Sequence, residues 1–260
     1  MAIKEYVNKD WRAILKHNQT ETFEQLWRLN QEGWFEPPNE RRGGWGGVVR
    51  TSLSTPEGGE EGVFIKFQEN HVYRSWLNLF RPVATLEREF RNIQLCRKLA
   101  IPTIEPIYFC ERKVDGKLRA ILVARELTGY QSADTECYNP ISQINLPKRK
   151  QLIARIAHAI NYMHQNHIQH NCLYPKHIFL RELGETSYDV RFIDLESARW
   201  RFSQRSIAKR DIGTLYRHTT GWGRSDRLRL FLAYRGEDRL SDTSKQLLTT
   251  ILGHIKAKKK

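Results

Sequence analysis

Apolar and polar positions alternate with two different periods in the two halves of the chain. In the first half "EGVFIKFQ" (residues 61–68) has β-branched and aromatic residues after a glycine turn, which predicts a strand. "GGWGGVVRTSL" (43–53) runs from a glycine cluster into another strand, and "IYFCERKVDGKLRAILVARE" (107–126) reads as a hairpin turning at Asp115-Gly116. Between them "TLEREFRNIQLCRKLAI" (85–101) places Leu86, Phe90, Ile93 and Leu99 on one helical face and ends beside Pro102. Residues 1–32 predict helix, with Thr22 and Gln25 spelling a capping box, before "PPNERRGG" breaks the pattern. The second half is mainly helical. Leu152, Ile156, Ile160 and Met163 keep helical spacing in "KRKQLIARIAHAINYMHQNH", and "RDIGTLYRHT", "DRLRLFLAY" and "SDTSKQLLTTILGHI" (Ser241 as N-cap) are further helices. Two short strands, "HIFL" and "VRFIDL", flank a polar loop. The order predicts an α+β chain of two lobes: a small antiparallel β lobe with one helix, then a mainly helical lobe. The expected divisions are a helical extension over 1–32, a first lobe over 33–128, a second over 129–255 and a basic tail over 256–260.

Composition narrows the partners. The chain has 260 residues, 40% hydrophobic and 11% aromatic, enough for a substantial core. No apolar run reaches the ~18 residues of a spanning helix. The start "MAIKEYVNKDWRAILK" lacks an apolar signal core, so the expected location is the cytoplasm. Cys96, Cys110, Cys137 and Cys172 form no C-x-x-C pair, so neither a zinc knuckle nor a redox motif is spelled. The net charge is +14, and +10 without the terminal "KAKKK". Much of the excess lies in "ARWRFSQRSIAKR" and "RSDRLRLFLAYRGEDR", either a solvated surface or a face for an anionic partner. Charge alone also permits nucleic-acid binding, but no nucleic-acid motif is present, so none is expected.

Several residues carry candidate chemistry. Lys66 lies mid-strand among apolar neighbours, where an ammonium needs an anion. It is either an outward-facing lysine or one reaching nucleotide phosphates, with Glu89 on the next helix as its carboxylate and Glu87 as the competing partner. The glycine cluster is either a plain turn or a segment that lets backbone approach phosphates; it is not G-x-G-x-x-G, since Val49 fills the third glycine position. Asp194 ends a strand in "FIDLES", as a turn former or a Mg²⁺ ligand. His164, His167 and His170 repeat every three residues, without the H-E-x-x-H or cysteine pair of a metal site. "IQHNCLYPKHIFL" (168–180) resembles a protein-kinase catalytic loop, with His170, Leu173 and Pro175 in place, Cys172 at the catalytic aspartate and Asn171 at the usual arginine.

Together "RGGWGGV", "FIKFQ", "EREFRNIQLCRKLAIPT", "YPKHIFL", "FIDLE", "KRDIGTLYR" and "DRLRLFLAY" resemble the lipopolysaccharide core kinases of the WaaP/InaA type, nearest the InaA branch. The resemblance implies a compact protein-kinase-like fold and phosphate transfer from ATP, with Mg²⁺, to an inner-core sugar such as heptose at the inner face of the cytoplasmic membrane. It assigns Lys66 and Glu89 to the phosphate clamp. Gly44, Trp45, Gly46, Gly47 and Val48 would lie at ATP, and Glu126 and Leu127 would form the adenine hinge. Asp194 and His177 would hold the metal, and His170 and Asp211 would support the catalytic loop. Cys172 departs from the pattern: a thiol is a poor general base unless a neighbour such as Lys176 lowers its pKa, and Glu196 is the substitute carboxylate close by. Two readings therefore stand. One is a lipopolysaccharide kinase with limited turnover; the other is a catalytically impaired, kinase-like accessory or stress-response protein that binds nucleotide or an anionic partner. The implied partners are lipopolysaccharide core, or another anionic glycolipid, and peripherally the anionic membrane surface.

Overall fold

The computed structural model describes residues 5–31, 33–41, 43–74, 82–184 and 187–257. Three residues of the expected basic tail, 258–260, lie outside them, as do 1–4 and 32 of the expected extension. The chain forms two compact units, residues 1–94 with 104–128, and residues 95–103 with 129–260.

The first unit is built on a six-stranded sheet in the order β1-β7-β8-β4-β3-β2. In chain order its elements are β1 (Glu5–Val7), α1 (Arg12–His17), α2 (Phe23–Arg28), β2 (Trp34–Arg41), β3 (Gly44–Ser54) and β4 (Glu60–Glu69). There follow the short pair β5 (Val72–Tyr73) and β6 (Val83–Ala84), then α3 (Thr85–Lys98), β7 (Pro106–Val114) and β8 (Lys117–Arg125). The capping box at α2 is present: Gln25 N–H donates to Thr22 Oγ1 at 3.3 Å, and Thr22 N–H donates to Gln25 Oε1 at 2.9 Å. The β7–β8 turn takes the two left-handed residues its tight geometry needs, Asp115 at φ 49° and Gly116 at φ 77°.

Two local expectations are corrected. Residues 1–32 are not helical throughout, because Glu5–Val7 form a strand paired with Tyr108–Cys110. Nor do they stand apart: Trp11, Leu15, Phe23 and Leu26 are buried in one core with Val49, Leu53, Ile65 and Phe67 of the sheet. The segment beginning "PPNE" does not break the structure, since Trp34–Arg41 is an edge strand. An edge tolerates Pro37 and Pro38 because one side of the strand needs no ladder donors, and the register shifts around them. The other sheet face receives α3, whose buried Leu86, Phe90 and Ile93 follow the expected stripe, with Cys96 in place of Leu99. Phe90 stacks on Phe109 of β7 with ring centres 4.5 Å apart.

The second unit contains β9 (Gln131–Ser132), α4 (Leu146–Gln165), β10 (Ile168–Gln169), β11 (Ile178–Glu182), β12 (Tyr188–Phe192), β13 (Arg199–Trp200), α5 (Gln204–His218), α6 (Arg224–Arg235) and α7 (Asp242–Ala257). Helix α4 starts at Asn145, whose Oδ1 accepts from Lys148 N–H at 3.0 Å. Its face of Leu152, Ile153, Ile156, Ile160 and Met163 is fully buried, each such side chain contributing about 1.5–3 kcal/mol. α4 packs against α6, and α5 against α7. Strands β11 and β12 pair in register from Ile178↔Phe192 to Glu182↔Tyr188, which fixes the loops at their ends. Ser241 caps α7, accepting from Ser244 N–H at 3.2 Å. No helix among the described residues is long and apolar enough to cross a membrane.

Candidate active site

The strand register decides which side chains share a face in the first unit. Val48 lies opposite Lys66, and Gly46 opposite Gln68. Strand side chains alternate, so Gly46, Val48, Lys66 and Gln68 project from one face while Trp45, Gly47, Val49, Ile65 and Phe67 project from the other. Lys66 therefore leaves the apolar run to meet α3, where its Nζ lies 2.6 Å from Glu89 Oε1. The Glu89 side chain is 2% exposed and that of Lys66 30% exposed. Glu87, the competing carboxylate, is paired with Arg91 one turn along α3. Gln68 sets the start of that helix: its Oε1 accepts from Leu86 N–H at 3.0 Å and its Nε2 donates to Thr85 Oγ1 at 2.8 Å. Residue types that could be swapped individually are thus tied by the register of β4 and the anchoring of α3.

The glycine segment divides between packing and openness. A Cβ at Gly47 would stand 2.6 Å from the Trp34 ring, and one at Gly44 would enter the backbone of Glu69–His71. Trp45 packs against Trp27 and Trp34, with its Nε1 3.4 Å from Glu69 Oε1. Trp45 and Gly47 thus face the aromatic core, whereas Gly46 and Val48 share the Lys66 face. At the end of β8, Glu126 N–H donates to Gly62 O at 2.8 Å and its carboxylate holds Arg50 at 2.9 Å. Leu127 follows it, half-buried. Arg50 and Gln68 were not singled out in the sequence, because only the register shows which partners they reach.

In the second unit the segment after α4 is organised by one buried carboxylate. Asp211 on α5 accepts from His170 N–H (2.7 Å), Asn171 N–H (2.9 Å) and His164 Nε2–H (3.2 Å), and the Tyr234 hydroxyl lies 3.1 Å from His164 Nδ1. These bonds hold Asn171 at φ 68°, in the left-handed region. The histidine repeat resolves into three separate duties. His164 backs Asp211, and His167 Nδ1 donates to Arg201 O at 3.0 Å. His170 Nε2 donates to Ile193 O at 3.1 Å, and burial pushes its pKa down, favouring the neutral ring.

His177 and Asp194 meet. His177 Nδ1 donates to Cys172 O at 2.8 Å, and its Nε2 lies 3.3 Å from Asp194 Oδ2. Asp194 sits at φ 58°, ψ 56°, a left-handed position aspartate tolerates better than most residues. A histidine beside an aspartate, with the histidine's other nitrogen fixed by a carbonyl, is a pair of residue types that fits a divalent cation. No group of three or more His, Cys, Asp or Glu that could hold a metal occurs among the described residues. Cys172 is half-buried beside them. Burial raises its thiol pKa; Ser197 and Arg210 pull it down, while Asp194 and Asp211 push it further up, and the net shift is upward. The thiol is therefore protonated at neutral pH. Glu196 is half-buried in the turn Leu195–Ser197 that follows Asp194.

A sheet unit with a strand lysine bound to a helix glutamate, and a helical unit whose loop joins a buried aspartate to a His–Asp pair, define a protein-kinase-like protein. The solved structure of "WaaP in complex with acyl carrier protein" has this fold, with a TM-score of 0.65 at 18% identity over 98% of each chain. The model of the lipopolysaccharide kinase (Kdo/WaaP) family matches residues 24–234, and the chain belongs to that family. Protein InaA of Escherichia coli (strain K12) is 27% identical over 194 residues, 74% of this chain and 86% of that protein.

Proposed function

We propose that the protein is an ATP-dependent, lipopolysaccharide-directed phosphotransferase that acts on an inner-core sugar such as heptose, with turnover limited by Cys172. The observation that carries the reading is the Lys66–Glu89 contact of 2.6 Å, placed on the sheet face that also bears Gly46 and Val48. Family membership supports the substrate class. In this reading Glu89 fixes Lys66 so that its ammonium can meet nucleotide phosphates. Gly44, Gly46 and Val48 give the nucleotide close backbone approach. Trp45 and Gly47 shape that strand from behind. Glu126 and Leu127 border adenine, Glu126 through its carbonyl, because its amide is bound to Gly62.

His177 and Asp194 would hold Mg²⁺, which when bound neutralises charge developing on the phosphate oxygens. Asp211 supports the loop by clamping the amides of His170 and Asn171. What the loop lacks is a base for the acceptor hydroxyl. A positioned base contributes about 10²–10⁴-fold, and a protonated thiol supplies none. The raised Cys172 pKa favours a second reading, an accessory or stress-response protein that binds nucleotide with little transfer. Location at the inner face of the cytoplasmic membrane belongs to the first reading.

Two measurements separate them. Mg²⁺-ATP is expected to raise the melting temperature of the wild type and not of Lys66→Ala. No shift in the wild type at millimolar nucleotide refutes both readings. Radiolabelled ATP with delipidated core oligosaccharide should then give transfer above a Lys66→Ala, Asp194→Ala double variant. Nucleotide binding without such transfer leaves only the accessory reading.

A further inference from the structure

One feature outside the nucleotide machinery combines exposed aromatics with concentrated charge. From Arg199 to Arg210, "RWRFSQRSIAKR" carries five cationic side chains in twelve residues and no acidic one. Residues 199–206 are all exposed, and Phe202, 83% exposed, is the most open of the large apolar side chains among the described residues; Trp200 is 48% exposed. The two rings pack edge to face with centres 4.1 Å apart, forming one apolar tip rather than two scattered side chains.

The tip is held firmly. Arg199 and Trp200 form β13, paired with Gln169 and Ile168 of β10. Arg201 N–H donates to His167 O at 2.9 Å, and His167 Nδ1 donates back to Arg201 O at 3.0 Å. His167 also packs on Trp200, with ring centres 5.5 Å apart. Behind it α5 begins at Ser203, whose Oγ accepts from Ser206 N–H. A segment pinned at both ends spends no ordering entropy to present Trp200 and Phe202 to water. Packing does not require that exposure, since neither residue belongs to the buried core.

We infer that residues 199–205 are a membrane-docking element, with Trp200 and Phe202 entering the headgroup region of an anionic bilayer and Arg199, Arg201 and Arg205 engaging its phosphates. Tryptophan and phenylalanine favour that interfacial depth, where an apolar ring body meets a wet boundary. Interleaved arginines match an anionic lipid surface in charge. A nucleic-acid partner fits less well, because Trp200 is already engaged by two ring neighbours rather than offered for stacking. The element adds to the proposed function the place where a glycolipid acceptor would be met. It needs no nucleotide, so it is testable whether or not the phosphotransferase reading holds.

The test is flotation of the full chain, without nucleotide, on phosphatidylethanolamine–phosphatidylglycerol vesicles and on phosphatidylcholine vesicles. The wild type is expected on the anionic vesicles, and less so as salt is raised. Phe202→Ala should weaken partitioning about tenfold, the scale of one aromatic side chain lost from an apolar environment. Arg201→Gln with Arg205→Gln should weaken it about thirtyfold. Melting temperatures of these surface variants should match the wild type. Brominated lipids should quench the wild type more than Trp200→Phe. Equal binding of all variants, equal binding to phosphatidylcholine, or binding only to an acidic protein such as acyl carrier protein would each overturn the inference.

Discussion

Asp211 gives the sharpest test of how the catalytic-loop segment is held. Its carboxylate accepts three hydrogen bonds at 2.7, 2.9 and 3.2 Å in a fully buried position. Asp211→Ala removes all three and deprives the amides of His170 and Asn171 of their acceptor. A hydrogen bond to a charged group contributes about 1.5–3 kcal/mol, and an unpaired buried donor costs about 1–3 kcal/mol. These overlap, so the net loss is about 3–5 kcal/mol, the range for breaking a buried charged contact by removing one partner. At about 2–4 °C per kcal/mol for a chain of this size, the melting temperature should fall by roughly 10 °C. Asp211→Asn separates charge from shape. One oxygen can still serve two donors, but the amide nitrogen then faces the third, so an intermediate loss is expected. Thermal unfolding followed by circular dichroism measures both. A shift of Asp211→Ala below about 2 °C would refute the claim that this residue holds the loop.

Four further outcomes follow from the geometry of the two units. Gly47→Ala drives a Cβ to 2.6 Å from the Trp34 ring and should cost about 1–3 kcal/mol in urea unfolding. Gly46→Ala meets the Gln68 side chain at 3.3 Å and Phe67 O at 3.5 Å, much looser contacts than at Gly47, so it should cost less stability than Gly47→Ala while weakening the ATP-induced thermal shift. Glu69 is pulled below its ordinary value of 4.5 by Lys117 and Arg119, which outweigh the opposing effect of burial. Its stabilisation is present above pH 4.5 and lost as pH falls through the depressed folded value, so Glu69→Gln should flatten the acid limb of a stability–pH curve. Cys172→Asp should raise phosphate transfer by about 10²–10⁴-fold; unchanged transfer with intact ATP binding would refute the missing-base explanation.

What the sequence disclosed depended on how local the signal was. The Lys66 strand, the α3 stripe and the Asp115-Gly116 turn follow from neighbours a few residues away, and they stand in the structure apart from Cys96 taking the stripe position expected of Leu99. The strand Glu5–Val7 could not be read, because three residues of mixed polarity become a strand only when Cys110, Phe109 and Tyr108 lie beside them. The same limit applied to the glycine segment. The resemblance implied five residues toward nucleotide, but the direction of each side chain depends on the pairing of Val48 with Lys66, which turns Trp45 and Gly47 the other way. At the loop, Cys172 and Asp211 were visible as motif positions. Their settings were not: the Ser197 and Arg210 contributions at the thiol come from another turn and another helix. His164 looked like a member of a repeat and is instead the second support behind Asp211.

The pairing of β1 with β7 also bears on how the molecule is made. Glu5 and Tyr108 are 103 residues apart, yet they share a hydrogen bond and adjacent strands. Trp11, Leu15, Phe23 and Leu26 leave the ribosome long before Ile121 and Val123, which complete the core around them. Contacts so distant in sequence form late, after a large loop has closed. During synthesis the opening helices therefore carry an uncovered apolar face until the β7–β8 hairpin has emerged, which makes that interval the one in which a nascent chain most needs a chaperone.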